Sequence, residues 1–154
     1  MKKASLLKKY SNSISYKIDA REKDYLYINE SQISGSGNGL FTTISLYKDE
    51  VISIFKGEIL SDIEAQRRAE KGIDGYFISL PDGTIMDSNK TKCFAKYAND
   101  ASGFLKTKFK NNSKISLDEN GMVCIVAKQK IAAYEEIFCT YGKEYWKKYK
   151  PFAS

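Results

Sequence analysis

KYANDAS, residues Lys96 to Ser102, is the stretch on which the fold turns. A run of aromatic and small apolar residues stops on the amide of Asn99 and the carboxylate of Asp100, and Ala101, Ser102, Gly103 and Phe104 follow. Nothing in it forms a nucleophile with a base, a metal cage or a phosphate cradle. Its meaning depends on what lies on either side.

The chain has 154 residues, the size of one domain with a real core. A hydrophobic content of 42% with 13% aromatics excludes a disordered chain, and no apolar stretch reaches the length of a membrane span. The opening MKKASLLKKY has the charge of a secretory signal, but its apolar part is too short for one, so an intracellular protein, cytoplasmic or nuclear, is expected. Three cysteines, Cys93, Cys124 and Cys139, form no C-x-x-C pair and point to a reducing compartment. Histidine is absent, which removes Ser-His-Asp and Cys-His sites and His-ligated zinc. The net charge of +6 rests on lysine, with only Arg21, Arg67 and Arg68 to supply planar forks. Clusters such as Lys106, Lys108 and Lys110 therefore read first as solvated faces, and direct nucleic-acid binding stays open as a second reading.

Short β-branched and aromatic runs alternate with turn signals, the pattern of a mainly β fold with short helices. Strands are expected over 25–28, 39–43, 51–55, 76–80, 84–86, 114–117, 122–127 and 137–140. Pro81-Asp82-Gly83 predicts one turn, and Asp118-Glu119-Asn120-Gly121 predicts a hairpin through the positive φ that Asn-Gly supplies. Ser61-Asp62-Ile63-Glu64 reads as a capping box opening a helix to Lys71 before Gly72. A second helix is expected from Lys143 to about Tyr149, stopped by Pro151. The boundaries expected are an N-terminal extension over 1–23, a domain over 24–148 and a tail over 149–154.

Three separated motifs stand in order: GNGLF at Gly37 to Phe41, KYANDAS at Lys96 to Ser102, and EEIFCTYGKEYW at Glu135 to Trp146. FKGE at Phe55 to Glu58 and DGTIMD at Asp82 to Asp87 lie between the first two. In this order they resemble the SET-domain protein lysine methyltransferases, over about residues 24 to 148. The resemblance implies small curved sheets and a C-terminal pseudoknot, with S-adenosylmethionine on one face, the target lysine on the other and a narrow channel between. KYANDAS then ends on Asn99 because the cofactor needs an amide and adjacent backbone groups.

Residue by residue, the resemblance implies that Gly37, Asn38, Gly39, Tyr97, Asn99, Asp100 and Trp146 bind the cofactor. Tyr141 is the implied catalytic residue, its hydroxyl orienting methyl and amine. Phe55, Tyr76, Phe77, Ile115 and Phe138 are the candidate channel walls, with Ile115 placed three residues beyond Asn112. An apolar channel suits the reaction because the amine must be neutral, and desolvation disfavours the ammonium. The chain departs from the family at Asp100, where histidine is common, and at Tyr134, where glycine usually precedes the glutamate pair. It also lacks the zinc-binding cysteine clusters of many relatives, so a C-terminal helix, a homodimer partner or substrate must close its sites. The expected partner is a protein with a target lysine, a histone tail among the choices. Asp74, Asp82, Asp87, Asp118 and Glu119 are candidates for an acidic groove to receive a basic tail. A SET-like peptide-binding module without catalysis and a lysine-rich nucleic-acid-binding β domain are the two alternatives.

Overall fold

The computed structural model describes residues 15 to 103 and 106 to 140. In chain order these form β1 (Tyr16–Lys17), α1 (Glu22–Tyr25), β2 (Leu26–Glu30), β3 (Asn38–Thr42), β4 (Glu50–Ile54), β5 (Glu58–Leu60), α2 (Asp62–Glu70), β6 (Phe77–Ser79) and β7 (Ile85–Asp87). A 3₁₀ turn at Ala95–Tyr97 precedes β8 (Ser113–Leu117), β9 (Val123–Ala127), β10 (Glu136–Ile137) and β11 (Cys139–Thr140). The fold is mainly β, as the alternating runs imply. The second expected helix, from Lys143, lies outside the described residues.

The strands make three small sheets ordered β1-β4-β9-β8-β11, β10-β3-β2 and β5-β7-β6. Both expected turns form. Asp118 closes the β8–β9 hairpin by accepting from Asn120 N and Met122 N at 2.9 and 2.8 Å. Asp82 does the same between β6 and β7, accepting from Thr84 N at 3.0 Å. The α2 cap forms by half: Ser61 Oγ accepts from Glu64 N at 3.2 Å. The Glu64 carboxylate turns instead to Arg67 and Arg68.

Three differences from the sequence reading have physical causes. Tyr25 ends α1 rather than opening a strand, and its hydroxyl donates to Ile52 O at 2.7 Å. The strand expected over 137–140 divides at Phe138, because the Phe138 carbonyl turns to meet Asn112 N and Ser113 N, both at 3.0 Å. The strands β1 and β5 were not expected. They are two and three residues long, too short to carry a period, and pairing alone makes them: Tyr16 and Lys17 run parallel to Glu50 and Val51 of β4.

The main core joins the sheets through Leu40, Leu46, Ile52, Ile125, Ile131 and Ile137, all fully buried. A smaller cluster of Ile33, Ala101 and Phe138, with Phe109 against it, sits where the C-terminal strands cross the KYANDAS segment. That crossing decides the site.

Candidate functional site

The segment from Glu136 to Thr140 is bound on three sides. Glu136 and Ile137 pair antiparallel with Phe41 and Leu40 of β3. Phe138 bridges Asn99 in parallel, and Cys139 N donates to Asn99 O at 2.9 Å. Cys139 and Thr140 then run parallel to Ser113 and Lys114 of β8. The chain from 99 to 113 thus reaches from one side of this segment to the other, and its ends are tied together: Asn111 Nδ2 donates to Asp100 Oδ1 at 2.9 Å, and Ala101 N donates to Asn111 Oδ1 at 2.8 Å. The C-terminal segment is held between the two tied ends of this stretch, and this crossing, the knot, is the one that the expected pseudoknot calls for. Asn112 locks it with one buried amide, donating to Glu136 O at 3.0 Å and accepting from Phe138 N at 2.9 Å. Each such neutral bond contributes about 1 kcal/mol, and each buried partner left alone costs more.

The knot brings the glycine motif and KYANDAS together. Asn99 Nδ2 donates to Asn38 O at 2.9 Å, so the amide that closes the KYANDAS run fastens one candidate cofactor loop to the other. Gly37 holds a φ of 67°, in the left-handed region where glycine carries no Cβ penalty. Gly39 is glycine for another reason. A Cβ there would stand 2.3 Å from Glu136 Oε2 and 2.9 Å from its Cδ.

Glu136 is the residue that sequence reasoning missed. Its carboxylate is buried against Gly39 and accepts from Ser31 Oγ and Gln32 N, both at 2.7 Å. Ser31 Oγ in turn accepts from Ile33 N at 3.1 Å, and Ser31 N donates to Gly37 O at 2.8 Å. One carboxylate on β10 therefore sets the turn that delivers Gly37, Asn38 and Gly39. The only signal in the sequence was an acidic residue at a position that alternation places inside.

Tyr134 stands in the left-handed region without being glycine. It holds φ at 69° with its ring 69% exposed, and its N–H donates to Thr42 O at 2.6 Å. Asp100 is buried, and its Oδ1 caps its own turn by accepting from Ser102 N and Ser102 Oγ, each at 2.8 Å. The same oxygen accepts from Asn111 Nδ2, so the side chain braces the loop from inside.

The remaining candidates divide by burial. Phe138 stacks on Phe109 with centroids 5.2 Å apart. Phe55 lies in the main core, and Ile115 and Tyr97 pack half-buried against it, Ile115 opposite Ile125. Tyr76 is exposed beside the half-buried Phe77 of β6. Tyr141 and Trp146 lie outside the described residues. Of the five carboxylates expected to form a groove, Asp82 and Asp118 cap separate turns, and Asp87 is buried against Arg68 Nη1 at 2.9 Å. Burial pushes the Cys124 and Cys139 thiols up to about 12, so neither is a nucleophile. No group of metal-ligating side chains occurs among the described residues. No helix among them is long and apolar enough to cross a membrane.

Known proteins agree with this architecture. The family model for the SET domain matches residues 37–142. The histone-lysine N-methyltransferase mes-2 of Caenorhabditis elegans is 37% identical over 76 residues, covering 47% of this chain and 10% of that protein. Among solved structures, a chain of an apo ctPRC2 that carries two mutations in Ezh2 superposes with a TM-score of 0.62 at 27% identity, covering 76% of this chain and 15% of that one. A humanized mutant of the Chaetomium thermophilum Polycomb Repressive Complex 2, bound to the inhibitor GSK126, gives a TM-score of 0.62 at 25% identity with the same coverage. The chain spans a small fraction of each of these proteins.

Proposed function

Because the chain belongs to the SET-domain family, we propose that it is an S-adenosylmethionine-dependent protein lysine N-methyltransferase. The observation that carries this reading is the meeting of three motifs, far apart in sequence, at the Asn99–Asn38 bond and the Asn99–Phe138 bridge. Gly37, Asn38 and Gly39 from one loop and Tyr97, Asn99 and Asp100 from the other hold the cofactor, with Trp146 covering it. The open space at Gly37, where a Cβ would meet nothing within 4 Å, suits the close approach of a polar, elongated ligand. When bound, S-adenosylmethionine supplies an electrophilic methyl group that a neutral amine takes in line.

The chain's own residues then have few tasks. Tyr76, Phe77, Phe138, Phe55 and Ile115 are the walls this reading gives the channel, with Tyr76 the most exposed of them. Apolar walls disfavour the substrate ammonium, whose ordinary pKa is about 10.4, and its proton leaves to solvent without a histidine. The Tyr141 hydroxyl orients the nitrogen, and positioning supplies most of the acceleration. The substrate is a protein lysine, a histone tail among the choices, and Asp82, Asp87 and Asp118 each already have a partner within the chain.

Incubation with labelled cofactor and a panel of histones and other proteins tests the reading. Label is expected on lysine. Tyr141→Phe is expected to remove most transfer with cofactor affinity nearly intact, and Asn99→Ala to reduce the thermal stabilisation that cofactor confers. Cofactor binding without transfer to any lysine would refute the enzyme in favour of a binding module. Salt-sensitive DNA binding with no response to cofactor would refute both.

A further inference from the structure

Lys96 precedes the cofactor segment and stands in an unusual place. Its Nζ donates to three carbonyls of one loop, Ser88 O at 3.0 Å, Asn89 O at 3.3 Å and Thr91 O at 3.0 Å. An ammonium has three N–H groups, and each has a partner here. The same nitrogen lies 5.3 Å from the ring centroid of Tyr97 and 5.5 Å from that of Tyr76, within cation–π range of both. The loop it holds is itself fastened: Ser88 N donates to Tyr76 O at 3.1 Å, and Ser88 Oγ donates to Lys56 O at 2.7 Å.

These contacts join two parts of the molecule that no strand pairing joins. Tyr97 and Asn99 belong to the knot, whereas Phe77, with Tyr76 just before it, belongs to the sheet β5-β7-β6, which shares no ladder with the other two sheets among the described residues. That sheet rests on the main core through Met86, Ile78 and Leu80. Apolar packing is non-directional and leaves its sliding weakly specified, while three converging hydrogen bonds to a charge do not.

We propose that Lys96 is a positioning residue, a clasp that fixes the channel wall at Tyr76 and Phe77 against the cofactor segment at Tyr97 and Asn99. This rests on the methyltransferase reading for its consequence, since the clasp sets the distance between methyl and amine. It does not bind cofactor and touches no reacting atom. Its loss therefore damages the rate more than the affinity, because a misplacement of about 1 Å can cost on the order of 100-fold.

Lys96→Met removes the charge and all three donors at similar length. The expected result is a fall in kcat of about 30-fold or more, a cofactor Kd within about threefold of wild type, and faster amide hydrogen exchange at Phe77 to Ser79 with exchange in β9 unchanged. Lys96→Arg keeps the charge and several donors and is expected to restore most of the rate. If Lys96→Met does not fold, Lys96→Gln, with two donors, should show the same division at smaller amplitude. Wild-type kcat in a folded Lys96→Met, or equal loss of kcat and affinity with unchanged exchange, would overturn the clasp. If the wild type itself transfers no methyl group, the enzyme reading falls and exchange alone decides the clasp: equal protection of Phe77 to Ser79 in wild type and Lys96→Met overturns it.

Discussion

The cost of adding one methyl group at Gly39 should depend on the residue facing it. In the wild type, the new Cβ would meet Glu136 Oε2 at 2.3 Å and Cδ at 2.9 Å, so the carboxylate must move. Moving it breaks the bonds from Ser31 Oγ and Gln32 N, both 2.7 Å, and leaves a buried charge short of partners. Hydrogen bonds to charged groups contribute about 1.5–3 kcal/mol each, so Gly39→Ala should cost about 3 kcal/mol or more. At about 2–4 °C per kcal/mol for a chain of this size, that is a fall in Tm of about 6–12 °C. In a Glu136→Ala background the obstacle is gone. The φ of Gly39 is not positive, so alanine there removes unfolded-chain entropy, a gain of about 0.4–1 kcal/mol, offset by the Ser31 Cα at 3.3 Å. The second substitution should then cost nearly nothing. Urea unfolding of the four proteins in the cycle reads the coupling directly. If Gly39→Ala costs the same with and without the Glu136 side chain, Glu136 does not set the loop and the reasoning fails. Should Glu136→Ala not fold, Glu136→Asp, which withdraws the carboxylate by one carbon, ought to relieve part of the cost.

Tyr134→Gly should stabilise the fold by about 1 kcal/mol, since it relieves a side chain held at φ 69° and removes an exposed ring; a lower urea midpoint in the variant refutes this. The Arg67 and Arg68 guanidiniums lower the Glu64 carboxyl from 4.5 to about 2. Because the folded value is the depressed one, its stabilisation is present above about 4.5 and lost as pH falls toward about 2; Glu64→Gln should flatten the loss of stability across that window, and an unchanged acid profile argues against the pairing. Cys93, Cys124 and Cys139 are free and buried, and burial holds Cys124 and Cys139 up at about 12, so a thiol reagent at pH 8 should count none of the three in the native protein and all in urea. Rapid native labelling of either Cys124 or Cys139 would contradict their placement.

Local chemistry was legible in the sequence wherever a few adjacent residues decide the outcome. Asp82 with Thr84, Asp118 with Asn120, and Ser61 with Glu64 each close within four positions, so their turns and cap followed from residue type. The order of three motifs also carried the family, because each motif is a contiguous string. The sequence could not show what those strings touch. Glu136 reads as half of an acidic pair until Ser31, 105 positions away, meets its carboxylate. Asn112 serves in the sequence only to place Ile115, until the knot puts Phe138 N and Glu136 O at the two ends of its amide. The acidic groove shows the opposite case, since Asp82 and Asp118 are engaged by the turns they form and Asp87 by Arg68. A buried polar group takes its role from whichever donors or acceptors the packed chain brings within 3 Å, and that distance is independent of separation along the sequence. Composition and periodicity determined that this chain is a small β fold with a particular succession of loops, and only the tertiary structure decided that Glu136, Asn112 and Lys96 hold those loops in place.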